Sequence, residues 1–349
     1  MAGLDARKSD ASDLRSRLNP CGSREHPTSA CHPRLRAKKG VDARHEARHD
    51  EVKSEFDPMT DLPCPPPDPN PRPPRFAMPP GAVDAHAHLF GPASKYPYSP
   101  ARGYTPPDAT VEAYEHLHRT LGVARGVLTQ PSVYGTDNRL ILEVLRAHGR
   151  RLRAIVAVEA DVTDRALEDM NALGARGIRV NLVDKGGMPY ASLDELERLA
   201  HRIQPLRWHV ELLVHVHDDP ALMRRLGRMA VPISVGHLGY MPAACGPDHP
   251  GFREFLALMR DGRCWVKLSG SYRIIGLKQT PYTDVVPLAH ALIAANPDRL
   301  VWGSDWPHPI LKIPMPNDGA LLDQLAEWAP DADIRRRILV DNPAMLYGF

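Results

Sequence analysis

Between residues 82 and 349, short apolar runs alternate with segments that have the apolar spacing of helices. The apolar runs cover residues 82–90, 124–132, 152–158, 175–182, 208–216, 231–239, 264–272 and 299–307. Runs such as Leu152–Val158 are apolar on both faces, which is typical of parallel strands covered by helices. Eight strand–helix units in about 270 residues predict an α/β fold, a (β/α)8 TIM barrel.

The segments between the apolar runs support this interpretation. Those with a clear helical period include Asp108–Gly122, Asn138–Gly149 and Glu195–Leu206. Ser192 and Glu195 have the spacing of a capping box at the start of the third segment. An open, doubly wound sheet is the alternative, but it usually begins with a Gly-rich turn, and Phe90-Gly91-Pro92 lacks that pattern. We therefore expect the barrel.

The amino-terminal part of the chain differs in composition from the rest. Residues 1–58 mix 12 Lys and Arg with 10 Asp and Glu and show no hydrophobic period, and residues 58–80 contain 11 prolines. Such a segment buries too little apolar surface to offset the entropy of ordering it. We predict a disordered, charged and Pro-rich tail over residues 1–80 and one barrel domain over residues 81–349. On this interpretation, deletion of residues 1–75 leaves activity intact.

The composition excludes several classes of protein. The net charge of +2 offers no basic surface for nucleic acid, and no apolar run approaches the length of a membrane span. The five cysteines lack the C-x-x-C spacing of a zinc ribbon: Cys21, Cys31, Cys64, Cys245 and Cys264. We expect a soluble, cytoplasmic protein with reduced thiols whose partner is a small anionic substrate rather than nucleic acid or a membrane. An oligomer is compatible with the sequence.

Histidines and an aspartate recur where the predicted strands end. His86 and His88 are spaced i and i+2 on the first strand and therefore point to the same side. His215 lies near the end of the fifth run, His237 near the end of the sixth and Asp305 near the end of the eighth. Because the carboxyl ends of barrel strands meet at one rim, we expect these side chains to lie together. Such side chains can bind a metal ion that activates a water molecule, and one of them can act as the acid or base.

Two arginines stand in otherwise apolar strand endings, Arg179 on the fourth strand and Arg273 after the seventh. An unpaired guanidinium there would be costly, so each forms either a structural salt bridge or a clamp on a substrate carboxylate. Two such arginines at one rim favour an anionic substrate. Further candidate donors to the same ligand are Lys267, Lys185, Tyr104 and Ser132.

Several motifs resemble those of the amidohydrolase-related (amidohydrolase 2) family. They are Val83-Asp84-Ala85-His86-Ala87-His88-Leu89-Phe90-Gly91-Pro92, Gly135-Thr136-Asp137-Asn138, Arg176-Gly177-Ile178-Arg179, Gly236-His237-Leu238-Gly239, Trp302-Gly303-Ser304-Asp305-Trp306-Pro307-His308-Pro309 and Asp341-Asn342-Pro343-Ala344-Met345-Leu346-Tyr347. The resemblance covers roughly residues 81–349 and is strongest to 2-pyrone-4,6-dicarboxylate lactonases and related lactone hydrolases. It implies a (β/α)8 barrel, which agrees with the strand count.

The resemblance also implies roles for individual residues. Those implied to line the reacting centre are His86, His88 and His237, with Asp305 as the general base or acid. Those implied to contact the substrate are Tyr104, Ser132, Arg179 and Arg273.

Two features depart from the lactonase pattern. The lactonase works without a metal and has a tyrosine within strand five, where this chain has Leu213. His215 instead stands where metal-dependent relatives carry a histidine ligand. The ligand set that this implies for zinc or another divalent metal is His86, His88, His215 and Asp305.

We therefore expect a hydrolase that opens a carboxylated lactone. Asp305 would remove a proton from water, and His237 would polarise the carbonyl group or complete a metal site. The alternatives are metal-dependent decarboxylation of an aromatic or muconate-type acid, and a non-catalytic barrel that only binds a ligand.

Overall fold

The computed structural model describes residues 64–183, 189–190, 192–276 and 279–349, so Lys185 and residues 1–63 lie outside the described part. Its centre is a sheet of eight strands in sequential order, each parallel to the next. The strands are β1 (Val83–Ala87), β2 (Arg125–Thr129), β3 (Leu152–Val156), β4 (Ala175–Asn181), β5 (His209–Leu213), β6 (Ile233–Val235), β7 (Cys264–Leu268) and β8 (Leu300–Trp302).

The sheet closes on itself between β8 and β1. The N–H of His88 donates to the carbonyl oxygen of Trp306 at 2.8 Å, and the N–H of Asp305 donates to that of His86 at 2.8 Å. Both bonds lie beyond the last residue of β8, so the seam of the barrel depends on the loop after β8. The predicted TIM barrel is confirmed.

Helices surround the barrel and follow the strands. They are α1 (Val111–Leu121), α2 (Arg139–His148), α3 (Asp164–Leu173), α4 (Leu193–Ile203), α5 (Pro220–Leu226), α6 (Pro250–Arg260), α7 (Val286–Ala295), α8 (Asp318–Trp328), α9 (Ala332–Arg336) and α10 (Asn342–Tyr347). Side-chain caps define their starts: Thr110 accepts from the N–H of Ala113 in α1, and Ser192 accepts from that of Glu195 in α4 at 3.3 Å. None of the described helices is long and apolar enough to cross a membrane.

The side chains inside the barrel include both an apolar cluster and a buried ion pair. Side chains on five of the strands form one apolar cluster: Val83, Ala85, Val127, Ile155, Trp265 and Val301, with Tyr347 of α10 packed against them. Glu211 of β5 and Lys267 of β7 form a buried ion pair at 2.5 Å. Since β5 and β7 are not neighbours in the sheet, this contact crosses the interior. The carboxyl end of the barrel is therefore the polar end, where the site lies.

The strands end earlier than the apolar runs predicted. β5 ends at Leu213 and β6 at Val235, so His215 and His237 belong to the loops that follow. The apolar residues beyond these strand ends are still buried, as Val216 and Leu238 show, because the loops pack into the core. Because apolar residues stay buried beyond the last residue of each strand, hydrophobicity alone could not show where β5 and β6 end.

Residues 64–80 lie against the outside of the barrel. The Arg72 guanidinium pairs with Asp323 of α8 at 2.5 Å, and the Asn317 amide donates to Asp68 at 2.8 Å. This part of the predicted tail therefore has specific contacts, which differs from the disorder that its composition suggested. These polar anchors act together with apolar contacts, since Cys64, Phe76 and Met78 are partly buried and pack against the core.

Candidate active site

Four of the predicted residues converge at the carboxyl end of the barrel. The ring centroid of His86 lies 4.9 Å from that of His88 and 5.0 Å from that of His237. Oδ1 of Asp305 lies 3.7 Å from Nε2 of His86 and 3.9 Å from Nε2 of both other rings. Three imidazole nitrogens thus surround one carboxylate oxygen, and all four side chains are buried.

The seam between β1 and β8 positions this group through Asp84. One oxygen of this buried carboxylate accepts from the N–H of Ser304 at 2.8 Å and from that of His86 at 3.1 Å. The other accepts from the Ser304 hydroxyl at 2.5 Å. Burial alone would raise the pKa of Asp84, but the nearby His118 ring and the hydrogen bonds from Ser304 hold it below its usual value. The ionised Asp84 therefore ties the residue before Asp305 to the strand that carries His86.

Asp305 and His237 both have a backbone conformation that side chains disfavour. Their φ angles are 63° and 51°, in the left-handed region. Such a conformation costs on the order of 1–3 kcal/mol per residue and persists only where the surroundings enforce it. Its occurrence at two converging residues is typical of a functional site.

The two oxygens of Asp305 have different environments. Oδ2 accepts from the Tyr272 hydroxyl at 2.5 Å and from Nε of Arg273 at 2.6 Å. Oδ1 is buried and has no hydrogen-bond partner among the described residues. Burial alone would raise the pKa of Asp305, but the Arg273 guanidinium holds the pKa well below its usual range. Asp305 is therefore a carboxylate in which Oδ2 accepts two hydrogen bonds and Oδ1 can accept one from a bound molecule.

The surrounding histidines are neutral at neutral pH. Burial lowers the pKa of His86, and it holds the pKa of His88 and of His237 well below the usual value. Nδ1 of His88 lies 2.7 Å from the carbonyl oxygen of Thr129, which can only accept, so Nδ1 carries the hydrogen. Nε2 of His88 therefore presents a lone pair towards Asp305.

The arrangement fits a divalent metal ion. Among the described residues, His86, His88 and Asp305 form the group of potential ligands whose donor atoms lie within 4.8 Å of one another. Nε2 of His86 and Oδ1 of Asp305 are both buried without a hydrogen-bond partner in the described part of the chain, and such atoms are costly unless something binds them. Two imidazoles and a carboxylate are the donors that zinc accepts.

His215, the fourth predicted ligand, is not part of this group. It follows the end of β5, is half-buried, and its Nδ1 lies 3.3 Å from the carbonyl oxygen of Tyr240. The prediction assumed that the strand continued to residue 216, which would have aimed the ring into the mouth. Because β5 ends at Leu213, the inward position on this strand is instead held by Glu211.

Glu211 and Lys267 form a buried support beneath His86 that the sequence did not assign. Oε1 of Glu211 lies 3.3 Å from Nδ1 of His86, and Nζ of Lys267 lies 3.0 Å from the same nitrogen. Lys267 also donates to the carbonyl oxygen of Ala85 at 2.7 Å, so it does not extend towards a substrate. Burial alone would raise the pKa of Glu211, but Lys267 holds it well below its usual value. The signal for this role was Glu211 itself, a charged residue inside the apolar run 208–216.

A second chain of side chains lies behind Asp305. Beyond the Tyr272 hydroxyl, Nδ1 of His308 lies at 2.8 Å, and Nε2 of His308 lies 3.1 Å from Oδ1 of Asp318 at the start of α8. Asp305, His308 and Asp318 are almost completely buried. Burial and the charge of Asp305 raise the pKa of Tyr272 well above its usual value, so the phenol keeps its hydrogen. The motif that includes His308 pointed to this region, but not to Tyr272 or Asp318.

The predicted substrate-binding residues divide between two places. Arg179 and Ser132 line a cavity of about 480 Å³ together with Gln130 and Asn181. Nη1 of Arg179 donates to the carbonyl oxygen of Gln130 at 2.5 Å. Asp137, which pairs with Arg139, and Glu159 line the cavity as well. Arg179 is the cationic side chain among its lining residues that could bind a small carboxylate.

Tyr104 and Arg273 do not line this cavity. Tyr104 packs edge-on against Phe90, with 6.5 Å between the ring centroids. Arg273 binds Asp305, and its Nη2 also donates to the carbonyl oxygen of Pro309 at 3.1 Å. Arg273 therefore forms a salt bridge, which is one of the two alternatives given for it.

Comparisons with known proteins show which family the chain belongs to. A family model described as amidohydrolase matches residues 83–349. A 4-sulfomuconolactone hydrolase of Hydrogenophaga intermedia is 40% identical over 278 residues, which cover 78% of this chain and 91% of that protein. A 2-pyrone-4,6-dicarboxylate hydrolase of Comamonas testosteroni is 38% identical over 286 residues, covering 80% and 93%.

Solved structures show the same fold. The apo crystal structure of an Agrobacterium tumefaciens protein superimposes with a TM-score of 0.71 at 30% identity, covering 79% of this chain and 98% of that chain. The family match and these relatives span the barrel and its site, and the resemblance seen in the motifs is confirmed. The chain belongs to the amidohydrolase family of enzymes.

Proposed function

We propose that the protein is a hydrolase that opens a lactone bearing carboxylate groups. The observation that carries this proposal is Oδ1 of Asp305, which is buried, ionised and without a partner among the described residues, yet surrounded by three histidine nitrogens at 3.7–3.9 Å. Two relatives at 38–40% identity are named as hydrolases of lactones, which supports the same reaction class.

In this mechanism, Arg179 binds a carboxylate of the substrate in the cavity beside the site. Oδ1 of Asp305 accepts a proton from a water molecule as the water oxygen attacks the lactone carbonyl carbon. His237, whose Nδ1 lies 3.0 Å from the Ser269 hydroxyl, is the candidate donor of a hydrogen bond from Nε2 to the carbonyl oxygen. The ring C–O bond then breaks, and the leaving oxygen takes the proton from Asp305.

Arg273 and Tyr272 have a supporting part in this reaction. Their hydrogen bonds fix Oδ2, so that only Oδ1 is directed at the reacting atoms. They also stabilise the carboxylate form, which keeps Asp305 ionised over a wide pH range.

His86, His88 and Asp305 are the residues that would hold a divalent cation such as zinc. A bound cation would supply Lewis acidity to the same centre. The cavity that contains Arg179 and the acceptor atom Oδ1 of Asp305 are formed by the protein without a bound cation.

The test is Asp305→Asn, assayed for ring opening on lactones with and without carboxylate groups. Asparagine keeps the size of the side chain but is a far weaker proton acceptor, so kcat should fall at least about 100-fold. Asp248→Asn is the matched control, because Asp248 is 89% exposed and pairs only with Arg253 on the surface among the described residues. Turnover by Asp305→Asn close to that of this control would refute the assignment. Release of carbon dioxide without ring opening would favour the decarboxylase alternative.

A further inference from the structure

The segment before β1 follows a defined course beside α8. We name residues 64–76 the N-terminal strap. Asp323 of α8 binds it twice, since Oδ2 pairs with the Arg72 guanidinium at 2.5 Å and Oδ1 accepts from the N–H of Arg75 at 2.6 Å. Asn317, the cap residue of α8, accepts from the N–H of Arg72 at 3.3 Å. The middle of the strap is thus held by two side chains of one helix.

The contact between strap and helix needs a glycine. A Cβ atom added to Gly319 would lie 2.1 Å from the carbonyl oxygen of Arg72, which is far inside van der Waals contact. Gly319 therefore permits the strap backbone to reach the first turn of α8. The next residue towards the amino terminus, Asp318, is the end of the side-chain series that leads through His308 to Asp305.

The first described residue of the strap joins two loops at the mouth of the site. The N–H of Cys64 donates to the carbonyl oxygen of Thr105 at 3.1 Å, and its Sγ accepts from the N–H of Ile310 at 3.4 Å. Thr105 follows Tyr104 in the loop after β1, and Ile310 lies in the loop after β8. Cys64 therefore bridges the two loops on either side of the barrel seam.

The seam is the place where such a bridge has the most effect. β8 has only three residues, and its closure onto β1 relies on bonds made by the loop that carries Asp305. The region matched by the family model begins at residue 83, so the strap lies outside it. The additional bonds across the seam are thus contributed by a segment that precedes the shared barrel.

We propose that the N-terminal strap is a positioning element for substrate binding, because it holds the loops after β1 and β8 at a fixed separation across the mouth. This inference rests on the proposed lactone hydrolysis. It also revises the expectation that residues 1–75 are dispensable: their removal would free both loops and weaken substrate binding, while the buried carboxylate and histidines remain in place.

The test uses the full-length chain with Cys64→Pro. Proline removes both the N–H and the Sγ contact, and it suits a position between Pro63 and Pro65. KM for a carboxylated lactone should rise about tenfold, while kcat stays within about twofold. Pro66→Ala is the matched control, since Pro66 is an exposed residue of the same strap.

Amide hydrogen exchange provides a readout that does not depend on activity. In Cys64→Pro, exchange at Ile310 and at residues 104–110 should accelerate at least about tenfold, with the strands unchanged. Asp323→Ala, which releases the middle of the strap, should change both readouts in the same direction. If KM and exchange in both variants equal those of Pro66→Ala, the strap proposal is overturned. If the wild-type protein opens no lactone, the proposed function fails, and the exchange measurement alone decides about the strap.

Discussion

The Tyr272 hydroxyl donates its single hydrogen to Oδ2 of Asp305 at 2.5 Å. Its oxygen must therefore accept the hydrogen of the next bond, so Nδ1 of His308 is the donor at 2.8 Å. Nδ1 of His308 therefore carries a hydrogen, and the contact of Nε2 with Oδ1 of Asp318 at 3.1 Å needs a second hydrogen, on either Nε2 or that carboxyl group. This order of donors also leaves Oδ1 as the atom of Asp305 that can act on a substrate.

Tyr272→Phe should lower kcat about 10- to 100-fold with little change in KM. The ring remains, but a hydrogen bond to a charged group, worth about 1.5–3 kcal/mol, is lost. KM should stay unchanged because Tyr272 does not line the cavity that contains Arg179. Steady-state kinetics on a carboxylated lactone measures both values. Tyr347→Phe is the control, since the Tyr347 hydroxyl is buried without a partner in the described part of the chain.

The donor at His308 can be tested by comparing two amide side chains. An asparagine at this position places a donor near the site of Nδ1, whereas glutamine places it near that of Nε2. We expect His308→Asn to keep more activity than His308→Gln, because only the first can donate to Tyr272. Asparagine also tolerates the left-handed φ of 61° at this residue. Equal losses in kcat for both variants would contradict this order of donors.

Zinc binding should depend on His88 and not on His215. In His88→Asn, the amide can still donate to the carbonyl oxygen of Thr129, but the Nε2 ligand is gone. Zinc affinity should therefore fall more than about tenfold, as measured by titration with elemental analysis. His215→Asn is the matched control, because it keeps a group near the Tyr240 carbonyl oxygen and lies outside the ligand group. An equal loss of zinc affinity in the two variants would show that His215 is also a ligand.

Arg179→Met should raise KM for carboxylated lactones about 10- to 100-fold. Methionine keeps an apolar stem of similar length but removes the charge-assisted bonds to a carboxylate. Lactones without a carboxylate should be bound equally well by the variant and the wild type. Arg198→Met, on the exposed face of α4, serves as the control. An equal rise in KM for both classes of lactone would show that Arg179 acts on the fold rather than on the acid group.

Stability should fall in mild acid because of His209, a buried histidine at the start of β5. Burial lowers the pKa of His209 to about 4, with Glu211 opposing this effect and Lys267 adding to it. In the unfolded chain His209 binds a proton near pH 6.5, whereas in the folded chain it binds one only near pH 4. The free energy of unfolding should therefore decrease as the pH falls through this window, by about 3 kcal/mol from this group. Above pH 7 the group contributes no pH dependence.

Urea unfolding of the wild type and of His209→Leu at several pH values between 4 and 8 isolates this effect. Leucine removes the titrating group and keeps an apolar side chain in the buried position. The variant should lose less stability than the wild type on acidification, whatever its stability at pH 7. Parallel pH profiles for the two proteins would contradict the assignment.

The barrel and the central part of its site could be predicted from the residues in order along the chain. Alternation of apolar strands with helices implies a closed parallel sheet, and such a sheet collects the ends of its strands at one rim. His86, His88, His237 and Asp305 were found for this reason. Their convergence follows from topology and does not require knowledge of any side-chain angle.

Tertiary structure alone decided what surrounds those residues. The ends of β5 and β6 were hidden because apolar residues in the loops after them, such as Val216 and Leu238, are as buried as the strands. His215, expected at a strand end, therefore lies in a loop. Tyr272 and Asp318 reach Asp305 through loop conformations that no sequence period encodes. The strap shows the same limit, since single polar anchors such as Asp323 hold it, and composition reports only how little apolar surface it has. Periodicity records which face of a regular element is buried, whereas contacts made beyond the ends of those elements depend on backbone angles set by the whole fold.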